Sequence, residues 1–202
     1  MDTILIVSRT QMRNGVCVGG INERTGELVR IHNERGGNLP ADAPYQIGDR
    51  WDMNVATAWN VRERPHVEDK QTSPIRKIDN VGIAGIIDFV KSHNLGSRLT
   101  VGDLSQAFEG CLVLQGTKNF VNHANTPSFS TQFWIADTDL IHTESFDKHY
   151  FYYNRIRIKY VGYQPIVSRI PAGTIIRLSL ANWWDGDGSG EERCYLQISG
   201  WY

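Results

Sequence analysis

The stretch Gly173-Thr-Ile-Ile-Arg-Leu-Ser-Leu-Ala-Asn-Trp-Trp184, then Asp185-Gly-Asp-Gly-Ser-Gly190, then Glu191-Glu-Arg-Cys-Tyr-Leu-Gln-Ile-Ser-Gly-Trp-Tyr202, decides the fold. Both long arms alternate. Ile175, Arg177, Ser179 and Ala181 point one way, and Ile176, Leu178, Leu180 and Asn182 the other. In the second arm Tyr195, Gln197 and Ser199 oppose Cys194, Leu196 and Ile198. A period of two marks a strand, because successive side chains leave opposite faces of the pleat. The spacer 185–190 supplies residues that accept positive φ or bond their own backbone. The expected unit is a β-hairpin, with Trp183 and Trp184 at one end and Trp201 and Tyr202 at the other. Loose termini are usually polar, so a Trp-Tyr end is expected to be tied into a closed or nearly closed sheet.

Upstream, the same rhythm recurs. Thr3 to Arg9, Val16 to Ile21 and Glu27 to Ile31 read as a three-strand meander separated by polar, Gly-containing turns. A Gly-, Pro- and Asn-rich loop runs from His32 to Tyr45, and Ile47 to Ala58 returns as a strand. Trp59 to Pro74 is polar and reads as an exposed connection. Asp79 to His93 carries an approximate helical stripe of Val81, Ala84, Ile87, Phe89 and Val90, weakened by Gly82 and Gly85. A second short helix is expected, capped by Thr100, turning Leu104, Ala107 and Phe108 inward and ending at Gly110. Leu112 to Leu114 reads as a strand, Lys118 to Ser130 as a loop, and Thr131 to His142 as a strand with a turn at 137–139. Tyr150 to Tyr163 is the longest strand candidate. Ile47-Gly-Asp-Arg-Trp-Asp-Met-Asn-Val-Ala56 faintly echoes Pro171-Ala-Gly-Thr-Ile-Ile-Arg-Leu-Ser-Leu-Ala181. The expected architecture is mainly β: two tandem OB-like small barrels, at 1–78 and 111–202, with a helical connection at 79–110.

Composition narrows the function classes. The formal charge of −1 over 202 residues gives no global field for a polyanion, so any cationic surface must be local. The three cysteines Cys17, Cys111 and Cys194 have neither CxxC nor metal spacing, and read as buried reduced thiols of a cytoplasmic protein. The N-terminus lacks signal-peptide character, and no apolar run approaches the roughly 20 residues of a membrane helix, so no membrane association is expected.

Two stretches carry a family resemblance. Cys17-Val-Gly-Gly-Ile21 with Thr25-Gly-Glu-Leu-Val-Arg30, and Arg177-Leu-Ser-Leu-Ala-Asn-Trp-Trp184 with Arg193-Cys-Tyr-Leu-Gln-Ile-Ser-Gly-Trp-Tyr202, resemble the dual OB-fold domain family of prokaryotes. The resemblance implies two OB-like barrels and a nucleic-acid role, in the neighbourhood of mobile-element or defence systems. It implies no catalytic residues.

The residues themselves offer little enzymatic machinery. There is no phosphate loop, and Gly15, Gly19 and Gly20 lack the following helix of a dinucleotide site, so no cofactor is expected. His142 and His149 flank Glu144 and Asp147, which reads either as an acid/base or metal pair or as a solvated loop. Asp185, Asp187 and Glu191 have the composition of a calcium loop without its spacing.

Binding is better supplied. Arg155, Arg157 and Lys159 alternate with Ile156, Ile158 and Tyr160, which places cations on one face of one strand. Arg9, Arg13, Arg30 and Arg35 gather around the first meander, with Trp51 and Trp59 in the same half. Trp183 and Trp184 are adjacent, so in extended chain one faces the core and the other the surface. Arg177 and Arg193 flank that pair. Rings and cations on a sheet are the means by which single strands are held, so single-stranded DNA or RNA is the expected partner. A nucleotide or small-molecule pocket and a docking face for a partner protein are the alternatives.

Overall fold

A computed structural model describes residues 1–12, 14–57, 63–186, 188 and 190–202. Arg13, Trp59 and Asp187 therefore lie outside the described residues. No helix among those described is long and apolar enough to cross a membrane. The chain divides into two compact units, Met1–Arg62 with Glu68–Gly96 and Tyr202, and Glu63–Val67 with Ser97–Trp201.

The first unit holds strands β1 (Asp2–Met12), β2 (Gly15–Asn22), β3 (Leu28–His32), β4 (Asp49–Thr57) and β5 (Asp69–Asn80). They close into a barrel in the order β1-β2-β3-β5-β4. The β3–β5 seam is parallel and the other pairings are antiparallel. Closure depends on a long first strand: Asp2–Leu5 bond β4, while Ile4–Met12 bond β2. Ile4, Ile6, Val18, Val29, Ile31 and Met53 fill the barrel, each stabilising the fold by about 1.5–3 kcal/mol. The 33–48 loop lays Leu39, Ala43 and Tyr45 onto that core.

Residues 69–74 are not an exposed connection but the start of β5. Charge hides this strand from a hydropathy reading, because every residue from Pro74 to Asn80 is solvent-exposed. Ion pairs to other strands and turns hold it instead: Lys77 to Asp49 at 2.6 Å, Arg76 to Asp52 at 3.0 Å, Asp79 to Arg50 at 2.6 Å and Lys70 to Glu27 at 2.8 Å. Helix α1 (Gly82–Ser92) follows and buries Ile86, Phe89 and Val90. The expected stripe is rotated, since Ala84 is exposed and Ile86 replaces Ile87 as the buried position.

After a 3-10 turn at Gly96–Arg98, the second unit contains β6 (Leu99–Val101), a 3-10 segment at Leu104–Gly110, β7 (Val113–Gln115), β8 (Lys118–Asn122), β9 (Thr131–Ile135), β10 (Leu140–Ser145), β11 (Lys148–Tyr153), β12 (Ile156–Tyr160), β13 (Arg169–Ile170), β14 (Ile175–Leu180) and β15 (Arg193–Trp201). Leu104, Ala107 and Phe108 are buried as their spacing predicts. The cap is Asp103, whose carboxylate accepts from the Ser105 amide, while Thr100 lies in β6. Two further expectations change. The loop expected at 118–130 begins with β8, which pairs β7 and β15. The single strand expected at 150–163 is a hairpin, folded at Asn154 with φ +54°.

The second unit repeats the strand order of the first. The order β10-β11-β12-β15-β14 matches β1-β2-β3-β5-β4, again with a parallel third seam, β12–β15. Here the first strand is broken in two. β9 bonds the fourth strand β14, and β10 bonds the second strand β11, with 136–139 joining them. The ring is thus completed through the chain itself. The faint sequence echo falls on equivalent strands, β4 and β14, each entered through a left-handed glycine, Gly48 at φ +87° and Gly173 at φ +80°. The closing hairpin pairs as read, from Ile176 opposite Trp201 to Leu180 opposite Leu196. Cys194, Leu196 and Ile198 join Ile158, Tyr160 and Phe151 in its core.

Candidate functional site

Alternation along β11, β12 and β15 sends Phe151, Ile158, Tyr160, Cys194 and Leu196 inward. The intervening residues therefore share the outer face. Pairing aligns Tyr150 with Lys159 and Lys159 with Gln197, so one row crosses three strands. Tyr152 and Arg157 form the next row. Tyr150, Arg157, Lys159 and Gln197, with Tyr195 and Trp184, border a groove of about 310 Å³.

Its chemistry is that of two cations among rings. The Arg157 guanidinium lies 4.4 Å from the centre of the Tyr150 ring. Lys159 is half-buried, and burial, followed by the charge of Lys148, lowers its pKa. Among the described residues neither Arg157 nor Lys159 has a carboxylate within ion-pairing distance. Trp184 keeps 60% of its surface exposed, with its ring edge-on to Tyr195 at 6.0 Å. One backbone bridge to Arg193 anchors it at the mouth of the β14–β15 loop. Such a groove can accept an anionic group against Arg157 and Lys159 and a planar ring against Trp184 or Tyr150.

Other expected binding residues lie elsewhere and are otherwise engaged. Arg9 donates to the carbonyls of Tyr45 and Ala41. Arg30 is largely buried and ion-paired with Asp69, which also sits 3.2 Å from His32 Nε2. Burial alone would raise the Asp69 pKa, but the bonds from His32 and Arg30 prevail and hold it far below the usual carboxylate range. Arg35 is exposed in the β3–β4 loop, and Arg13 lies outside the described residues. Arg177 is buried and donates to Ser199 Oγ at 2.8 Å, so it is no surface cation. A register shift after Arg177 accompanies its burial within the sheet. Arg155 is exposed in the β11–β12 turn and not on the strand face with Arg157 and Lys159.

The tryptophan pair divides between core and surface. Trp183 packs against the core, stacks on His123 at 3.8 Å and donates to the Arg64 carbonyl at 2.9 Å. Arg193 lies over the Phe120 ring and pairs with Glu191 at 2.7 Å. Trp51 is packed on the first core, edge-on to Tyr45.

His142 Nε2 stands 3.1 Å from His149 Nδ1 on the β10–β11 hairpin, and Glu144 is 3.8 Å from His149. Among the described residues no three His, Cys, Asp or Glu side chains converge as a metal-ligand set.

Sequence reasoning missed Tyr150, Tyr195 and Gln197. The signal was the alternation of Lys148, Tyr150 and Tyr152 along β11, hidden by reading 150–163 as one strand. A family model described as a dual OB-containing domain matches residues 2–201. No curated protein and no solved structure matches the chain.

Proposed function

Since the chain belongs to the dual OB-containing domain family, we propose that it binds single-stranded nucleic acid on the outer face of β11, β12 and β15. The observation that carries this reading is the groove in which Arg157 and Lys159 lie uncompensated beside Tyr150, Trp184 and Tyr195. In OB folds the face of the second and third strands, with the loops after the first and fourth, receives oligonucleotides. β11 and β12 are those strands here, and Trp184 lies in that fourth-strand loop. Bases would stack on the rings while Arg157 and Lys159 meet phosphates. No bond is made or broken, which is the work of a sensor or accessory module. The net charge of −1 keeps affinity modest, because tight non-selective binding needs many cationic contacts.

Fluorescence anisotropy with labelled single-stranded DNA, single-stranded RNA and duplex tests the reading. Single strands should bind in preference to duplex, and Trp184→Ala should weaken them about tenfold, as the loss of one base stack does. Absence of any single-strand signal at low salt would overturn it. The groove volume of 310 Å³ also falls at the lower end of small-ligand pockets. A melting shift with mononucleotides but none with oligonucleotides would assign the groove to a free nucleotide instead.

A further inference from the structure

The β10–β11 hairpin turns on Phe146 and Asp147, between the paired residues Ser145 and Lys148. Both turn residues have positive φ, +51° and +55°. A two-residue turn of this hand favours Asn and Gly, because a Cβ in the left-handed region crowds the following carbonyl. Phe146 bears that strain and gains no packing for it, since 93% of its surface is exposed. A large ring kept in a costly conformation and held out in solvent points to something it touches when bound.

The path to that ring is already cationic. Lys148, Tyr150 and Tyr152 share one face of β11, and Tyr150 lines the groove. Lys148 is close enough to Lys159 for its charge to depress the Lys159 pKa. A row of positive groups therefore runs from Arg157 through Lys159 and Lys148 toward the tip. Phe146 lies in the turn beyond Tyr150, past about 7 Å of strand from Tyr150 to Lys148. Asp147 at the turn and Glu144 before it are negative and would repel phosphate, so the tip suits a base and not the backbone. His149, on the opposite face of β11, is engaged with His142.

Resting on the nucleic-acid reading above, we infer that Phe146 is a stacking finger: it receives an unpaired base of a strand that leaves the groove along Lys159 and Lys148. The site thereby extends beyond the groove by the length of the hairpin.

The test substitutes Phe146→Asn in the full chain and measures stability and binding together. Relief of the turn strain should raise Tm by about 2–4 °C. Affinity for an oligonucleotide of about twelve bases should fall about tenfold. A dinucleotide, too short to span groove and tip, should bind wild type and variant alike, and Phe146→Tyr should retain wild-type affinity for the longer strand. Unchanged long-strand affinity in Phe146→Asn, with wild type binding normally, would overturn the role of Phe146 and leave the groove intact. Equal loss of dinucleotide affinity would also overturn it, since the effect would then lie in the groove. If wild type binds no oligonucleotide of either length, the reading of the groove fails and this inference fails with it.

Discussion

The two parallel seams occupy the same place in the two barrels and solve the same problem differently. In the first, Arg30 of β3 sits opposite Asp69 of β5. In the second, Lys159 of β12 sits opposite Gln197 of β15. Both cations leave the outer face, as the burial of Val29, Ile31, Ile158 and Tyr160 on the inner face requires. Asp69 neutralises Arg30, and the slot beside Arg30 holds only about 10 Å³. An amide cannot neutralise Lys159, and the space beside it is a groove of about 310 Å³. At this seam the first barrel pairs its outer cation with its own carboxylate, whereas the second sets its cation opposite an amide. Strand order alone therefore does not show which seam keeps an uncompensated cation; the residue opposite the third-strand cation does.

The largest effect should come from the first seam. Asp69→Ala would leave the largely buried Arg30 without its counter-charge, which costs about 3–5 kcal/mol. Urea unfolding should show that loss, while any oligonucleotide affinity of the remaining folded protein stays at wild-type level. A loss under 1 kcal/mol, or a change in affinity of the folded protein, would break the division of labour between the seams.

The contrast also sets the response to pH. In the first barrel the bond from Arg76 lowers the Asp52 pKa, the bond from Arg50 lowers that of Asp79, and Asp69 is lowered despite its burial. Carboxylates depressed on folding stabilise above their unfolded pKa, near 3.8, and that stability is lost as pH falls below it. In the second barrel burial pushes Tyr160 up to about 12, and burial with the bond to Asp137 does the same for Tyr153. A phenol raised on folding stabilises fully below its unfolded pKa of 10.0, and the contribution is lost as pH climbs toward about 12. Melting temperature against pH should thus fall at both ends. Tyr153→Phe with Tyr160→Phe should flatten the alkaline limb only, and Asp52→Asn with Asp79→Asn the acid limb only. An alkaline limb unmoved by the phenylalanines would show that the second core is not what alkali attacks.

How far the sequence reveals this contrast depends on which forces act locally. Burial writes itself into hydropathy, so the closing hairpin and the echo between β4 and β14 are legible. β5 is illegible because its Arg76, Lys77 and Asp79 are held by ion pairs to Asp52, Asp49 and Arg50 of β4, and paired charges look like loop. The broken first strand, β9 with β10, is illegible because only pairing partners reveal that two strands do one strand's work. In the site, Arg157 and Lys159 stand out by alternation. Arg30 and Arg177 have the same local pattern yet are engaged by Asp69 and Ser199, distant in sequence. Single-strand patterns place a cation on a face but do not show what stands across from it.

The smallest effect is the one most specific to the comparison. Each cation that neutralises a phosphate of a single strand contributes about 0.7 to the slope of log affinity against log salt. Arg157→Ala should reduce that slope by one such step. Its guanidinium is held by the Tyr150 ring, and among the described residues no carboxylate competes for it. Arg50→Ala removes a cation of equal charge from the outer surface of the first barrel, where Asp79 already holds it in two hydrogen bonds. The slope should not change, because a guanidinium committed to a carboxylate displaces no counterion from the strand. Equal reductions from both substitutions would mean that charge acts without regard to its local partner, and the distinction between the two faces would be lost.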